Sequence, residues 1–369
     1  MKKRKCEVVA IYGTSAELIK MWPVIQELGR YTRVTTLTTN QQPQELRELE
    51  RRLDVLAPVH LRSSSRGNLV HKRQVIPWLI GVSIRTMVQL IRLKAGAKRR
   101  GKGVLVLVHG DTMTCVVGAA AARLTLCQVG HVEAGLRSKD WRNPFPEELD
   151  RVITSYLAHF HFCPDEIAVT NLTGRSGRIV NTFGNTSRDS MRIIQNGLSL
   201  RANHVPFALV SLHRAELLGS PEHLQMTVKE LIDCGSRVRI VMVLDALTTS
   251  SLADHGLLNQ LRQSDIELRD KMPYPDFLEL VTTAARVVTD SGGLQEECGF
   301  LGIPCLVHRR ATERFDGIGT TASLSMWNPG SITDFLSQDL LPVSGTRRLE
   351  ASHSPTEVIA RALLDDGIL

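Results

Sequence analysis

Short apolar runs alternate with helix-patterned segments along the whole chain, in two successive series. In the first, strand-like runs at 7–12, 34–37, 104–108, 129–132 and 159–163 are separated by helical patterns such as 69–93 and 112–124. The second has strand-like runs at 207–212, 238–243, 286–289 and 304–307, with helices at 224–234, 275–282 and 292–301. Apolar runs without polar alternation read as strands buried on both faces, and strand–helix–strand repetition demands parallel pairing through right-handed crossovers. The expected fold class is α/β with two Rossmann-like domains. At 369 residues the chain exceeds what a single core supports. The expected division is 1–170 and 171–350, with the boundary between 162 and 178 or at the Gly184-Asn185-Thr186 turn. Residues 351–369 form a C-terminal segment; its stretch 354–364 has the spacing of an amphipathic helix able to pack back on the first domain.

Composition narrows the function. An apolar content of 43% excludes a disordered chain. No apolar stretch approaches ~20 residues, and the basic start, Lys2-Lys3-Arg4-Lys5, runs directly into a strand-like segment. The expectation is a soluble cytoplasmic protein with no membrane insertion. Seven cysteines without a CxxC pair fit neither a disulfide framework nor a zinc knuckle. A net charge of +7 is concentrated at residues 2–5 and at Lys94, Lys98, Arg99, Arg100 and Lys102, the latter group suiting a helix C-terminus. No aromatic platform accompanies it, and nucleic acid is not an expected partner.

Function concentrates between Val106 and Arg151, where VLVHGDT, VGHVEAGLR and NPFPEELDR place acids at strand-to-loop boundaries. Sites of open α/β sheets lie at the carboxyl ends of strands. Asp111 and Glu133 end two successive strand-like runs, and Glu147 and Glu148 open a helix. Asp111 can equally cap the helix beginning near Thr112, Glu148 can pair with Arg151 on one helical face, and His131, inside a strand, reads as a structural histidine. His213, where a strand meets a loop, is the better candidate. In Thr289-Asp290-Ser291-Gly292-Gly293 a strand turns into a helix whose start exposes N–H groups to an anion, although Ser291 as a plain N-cap explains the same residues. Gly13-Thr14-Ser15-Ala16-Glu17 is the corresponding turn of the first series.

Taken together, GTSAELIKMWPVI, HGDT, GHVEAGLR, NPFPEELDR, GNTSRDS, LHRAE, TDSGGLQEE, LGIPCLV and RATER follow one another as in the non-hydrolysing UDP-N-acetylglucosamine 2-epimerases, which this chain resembles over nearly its whole length. The resemblance implies the GT-B architecture, with the active site in the interdomain cleft. It also implies reversible conversion of UDP-N-acetylglucosamine (UDP-GlcNAc) to UDP-N-acetylmannosamine (UDP-ManNAc) by loss and re-addition of UDP through a 2-acetamidoglucal, a step in polysaccharide biosynthesis. By motif it makes Asp111, Glu133, Glu147 and His213 catalytic. It assigns Lys20, Arg151, Ser291, Gly292, Gly293 and Glu297 to the substrate, with Arg137 and Arg214 as further cations near it. Gln41 and Gln44 match the spacing of an activator site for UDP-GlcNAc, which an ordinary polar helix start explains as well. No metal or cofactor is implied, and a homodimer is.

The chain departs from the family pattern at Ser15 and Ala16, which replace an arginine and proline; at Leu244-Asp245-Ala246-Leu247, where the family reads HxNP; at Leu217; and at Arg314-Phe315-Asp316. A hydroxyl cannot reproduce the bidentate charge-assisted contact of a guanidinium. A related reaction on another UDP-sugar, by a hydrolysing 2-epimerase or a GT-B glycosyltransferase, therefore stands beside epimerisation.

Overall fold

The structure, a computed structural model, describes residues 5–41, 43–55, 59–60, 72–138, 146–197, 205–312, 314, 317–338, 349 and 353–369. Of the segments named above, 2–4, 69–71, 143–145, Glu313, Phe315 and Asp316 lie outside the described residues. The chain divides into two compact units, 1–193 with 351–369, and 194–350. The first unit thus runs past the expected division near residue 170, because the strand at Arg178–Asn181 still pairs with the first sheet.

The first unit contains β1 (Cys6–Tyr12), α1 (Ser15–Gly29), β2 (Val34–Thr38), α2 (Pro43–Arg52), β3 (Val59–His60), α3 (Lys72–Arg99), β4 (Gly103–His109) and α4 (Met113–Leu124). It continues with β5 (Gln128–Val132), α5 (Glu147–Leu157), β6 (Phe160–Cys163), α6 (Glu166–Asn171), β7 (Arg178–Asn181) and α7 (Ser187–Gly197), the helix in which the division between units falls. Its parallel sheet has the order β3-β2-β1-β4-β5-β6-β7. Strand order reverses between β1 and β4, so a crevice opens at their carboxyl ends.

The second unit contains β8 (Ala208–Ser211), α8 (Ala215–Leu218), α9 (Pro221–Gly235), β9 (Ile240–Leu244), α10 (Ala246–Asp254), α11 (Leu258–Arg262) and β10 (Glu267–Asp270). These are followed by α12 (Tyr274–Thr283), β11 (Arg286–Thr289), α13 (Gly292–Leu301), β12 (Cys305–Val307), β13 (Ala322–Leu324) and α14 (Ser331–Leu336). Its sheet, β10-β9-β8-β11-β12-β13, repeats the plan, with the reversal between β8 and β11.

The last helix, α15 (Pro355–Asp365), belongs to the first unit. Ser354 caps it, accepting from the Glu357 amide at 3.2 Å. Its Ile359, Ala360, Ala362 and Leu363 share a core with Met21, Val24 and Leu28 of α1 and with Val8 and Ala10 of β1. Each fully buried large aliphatic side chain in that core contributes roughly 1.5–3 kcal/mol. Polar contacts fix the register of the return: Asp189 of α7 accepts from the Ser354 hydroxyl at 3.0 Å and the Thr356 amide at 2.9 Å, and the Cys6 amide donates to the Ile368 carbonyl at 2.6 Å.

Candidate active site

At the first reversal, β1 ends in Gly13 and β4 in Gly110-Asp111. A Cβ on Gly13 would stand 2.2 Å from Thr114 Oγ1 and 2.4 Å from Thr39 Oγ1, so only glycine lets the three loops close here. The turn is strapped by Glu17 of α1. Its carboxylate accepts from the Gly13 and Thr14 amides at 2.7 and 2.9 Å and from the Thr112 hydroxyl at 2.5 Å, while Thr14 and Glu17 form a capping box. Burial raises the proton affinity of Glu17 and these donors oppose the rise.

Asp111 and Glu133 leave neighbouring strands, since His109 at the end of β4 pairs with Val132 at the end of β5. Asp111 does not cap α4. Thr112 does so, its Oγ1 accepting from the Cys115 amide at 3.4 Å, and the Asp111 carboxylate instead accepts from the Arg151 guanidinium. Glu133 has a left-handed backbone, φ 61°, a conformation that non-glycine residues adopt at a cost of order 1–3 kcal/mol. That geometry turns its side chain to a cluster of donors: Oε2 accepts from Lys20 of α1 and from Asn185, with His109 Nε2 at 3.3 Å. The turn cannot relax at Gly135, φ 85°, where a Cβ would meet the Ala168 carbonyl oxygen at 2.2 Å.

Helix α5 is inverted relative to an ordinary surface helix. It buries Glu148, Asp150, Arg151, Thr154 and Ser155 and exposes Leu149 and Tyr156. A charged face turned inward persists only with partners, because unpaired buried charge is costly. Part of it is internally matched: Glu148 accepts from the Ser138 amide at 2.9 Å and lies 3.7 Å from Arg151 and 3.9 Å from Arg137. Arg137 also donates to the Leu136 carbonyl and to Ser155, which makes it a brace between the β5 loop and α5. Glu147 Oε2 and Asp150 Oδ2 are buried without a hydrogen-bond partner among the described residues.

At the second reversal, Asp290 plays the part that Glu17 plays at the first. It is fully buried, and its oxygens accept from the His213 amide at 3.0 and 2.9 Å and from the Arg214 amide at 2.8 Å, tying the loop after β8 to the loop after β11. His213 stands above this strap, its imidazole Nδ1 3.7 Å from Asp290 and its side chain 42% exposed. Ser291 is the N-cap of α13, accepting from the Leu294 amide at 3.4 Å. A Cβ on Gly293 would meet nothing nearer than Ser291 Oγ at 3.8 Å, so the amide end of α13 is open to an anion. Within α13, Glu297 accepts from the half-buried Tyr274 hydroxyl at 2.8 Å, and Glu296 pairs with Arg314 at 3.1 Å.

Residues 85–340 match the family model described as UDP-N-acetylglucosamine 2-epimerase. The chain belongs to the UDP-N-acetylglucosamine 2-epimerase family. A Bacillus subtilis protein of that name is 32% identical over 325 residues, which cover 85% of this chain and 82% of the relative. The fold is similar to UDP-GlcNAc 2-epimerase from Neisseria meningitidis bound to UDP-GlcNAc, with a TM-score of 0.78, 25% identity and coverage of 97% and 100% of the two chains. It is likewise similar to the Methanocaldococcus jannaschii enzyme in complex with UDP-GlcNAc and UDP, with a TM-score of 0.77, 27% identity and coverage of 97% and 99%. Two parallel-sheet units of GT-B type are the fold of this epimerase family chain.

Within that family fold, the sequence-derived residues fall in three places. Asp111, Glu133, Glu147, Lys20 and Arg151 gather at the carboxyl ends of β4 and β5, and His213, Arg214, Ser291, Gly292, Gly293 and Glu297 lie around the second reversal. Gln41 and Gln44 are not joined to each other: Gln41 donates to Thr114 at 2.8 Å, whereas Gln44 is exposed on α2. His131 Nε2 donates to the Gly110 carbonyl at 2.8 Å; burial pushes its pKa down to about 3, leaving a neutral structural ring. Glu17, Asn185 and Asp290 are the residues that sequence reading left without a role. The Thr14-x-x-Glu17 capping box was a visible signal for the first, and the other two depend on tertiary contacts. Among the described residues no group of three or more His, Cys, Asp and Glu is arranged to hold a metal ion.

Proposed function

We propose that the protein interconverts UDP-GlcNAc and UDP-ManNAc by eliminating UDP to a 2-acetamidoglucal and re-adding it after the proton at C2 has returned to the opposite face. The observation that carries the reading is the pair of carboxylates at adjacent strand ends, each charge-matched differently: Asp111 by Arg151, Glu133 by Lys20 and Asn185. The C2 hydrogen has no adjacent carbonyl to acidify it. Its removal needs positive character at C1 as UDP departs, and so requires separate proton-handling groups and a stabilised leaving diphosphate. Asp111, Glu133 and Glu147 meet the first need; His213 and the open amide end of α13 meet the second. Lys20 and Arg151 keep the carboxylates oriented, and Glu297 with Tyr274 is placed to hold a ribose.

Incubation with UDP-GlcNAc in D2O should yield UDP-ManNAc carrying deuterium at C2, with deuterium also appearing in recovered UDP-GlcNAc. Free sugar and UDP alone would move the assignment to a hydrolysing enzyme, and absence of exchange would rule out elimination. Chelator should leave the rate unchanged.

The protein is further proposed to be a cytoplasmic homodimer. All seven cysteines are free and buried, as suits a reducing compartment, and among the described residues no helix is long and apolar enough to cross a membrane. Helix α3 exposes Ile80, Ile84, Val88 and Ile91 along one face, an apolar stripe that self-association would cover. Ile84→Glu should shift the mass measured by light scattering from dimer to monomer. An unchanged dimer would exclude this face, and a monomeric wild type would exclude the dimer.

A further inference from the structure

Asp150 lies one helical turn beyond Glu147 on the inward face of α5, only 6% exposed, and its Oδ2 has no hydrogen-bond partner among the described residues. The ionisable groups that interact with it are Asp111 from the loop after β4, Glu147 from its own helix and the Cys115 thiol from α4. Arg151 donates to Asp111 and lies 3.7 Å from Glu148, and among the described residues no ion pair reaches Asp150. We infer that Asp150 is a positioning residue that holds a proton on the inward face of α5 beside Asp111 and Glu147, and that losing this proton to solvent puts a further negative charge next to the reacting groups.

Burial, reinforced by Asp111 and Glu147, pushes the Asp150 pKa up to about 7, within the working range of such an enzyme. A charge formed at Asp150 acts on the reaction through space, so turnover is coupled to pH without Asp150 touching substrate. This inference rests on the epimerase reading for its kinetic readout and on the α5 geometry alone for the others.

The test is Asp150→Asn, which keeps shape and removes the titration. Wild-type kcat for UDP-GlcNAc should change by about threefold or more across pH 6 to 8, and D150N should flatten that change. Carbon-13 NMR of labelled wild-type carboxyls, with D150N used to assign the signal, should show Asp150 titrating near pH 7. The native state keeps this proton to higher pH than the unfolded chain, so ionisation costs stability as pH rises from about 4 towards 7. D150N should therefore melt above wild type at pH 8 and not at pH 4. An unaltered bend in the kcat profile, a carboxyl titrating below about pH 5, or a melting difference equal at both pH values would overturn the inference. Failure of both proteins to turn over UDP-GlcNAc at any pH would remove the epimerase reading and leave NMR and melting to decide Asp150.

Discussion

Asp111→Asn should lower turnover of UDP-GlcNAc by about 100- to 10,000-fold while leaving UDP affinity within about twofold. The asparagine keeps the planar shape and one oxygen for Arg151, so the loop after β4 retains its course, strapped independently by Thr112 to Glu17. What disappears is a proton acceptor at the mouth of β4. The companion change, Glu133→Gln, should be as damaging to turnover and also destabilising. It removes the charge facing Lys20, whose side chain is only 14% exposed, and a buried ion left without its partner costs about 3–5 kcal/mol. Steady-state kinetics beside thermal melting separates the two cases: both are expected to melt below wild type, D111N by less because Glu148 still lies 3.7 Å from Arg151. Near-normal turnover in D111N would take Asp111 out of the mechanism.

The second large effect is expected at a residue that never meets substrate. Asp290→Ala leaves the His213 and Arg214 amides without their acceptor in a fully buried position, and each orphaned donor costs about 1–3 kcal/mol. For a unit of this size that lowers the melting temperature by roughly 5–15 °C. Because the strap sets the height of His213 above the second reversal, UDP affinity should fall by about tenfold or more. Asp290→Asn retains one acceptor oxygen and should lie between. A D290A protein that melts within about 1 °C of wild type and binds UDP normally would show that the loop after β8 is held by other contacts.

How much of this was visible in the sequence depended on burial. Central strands such as β1, β4 and β8 are dominated by apolar residues and declare themselves, while β3 with two residues, β7 reading RIVN and β10 reading ELRD are short, half-polar and closer to the sheet margins, where one-sided burial erases the apolar run. Helix α2, PQELRELERR, buries only Leu46, Leu49 and Glu50, too little for a convincing stripe. For the site, strand-end position was enough to single out Asp111, Glu133 and His213. It was not enough for Asp150, which in NPFPEELDR looks like one more surface charge because nothing local reveals that α5 is turned inside out. Nor could it reveal Asn185, which reaches Glu133 from a distant turn.

The return of residues 353–369 to the first unit also has a bearing on how the molecule is made. On the ribosome every residue of the second unit emerges before α15, so β1 waits without the Ile368 carbonyl and α1 without Ile359 and Leu363 until synthesis has passed the second unit. The second unit, continuous in sequence, can close its core first, while the carboxylate-bearing unit keeps an apolar seam open on the nascent chain. That order leaves the first unit as the part of the molecule exposed longest to chaperones and proteases.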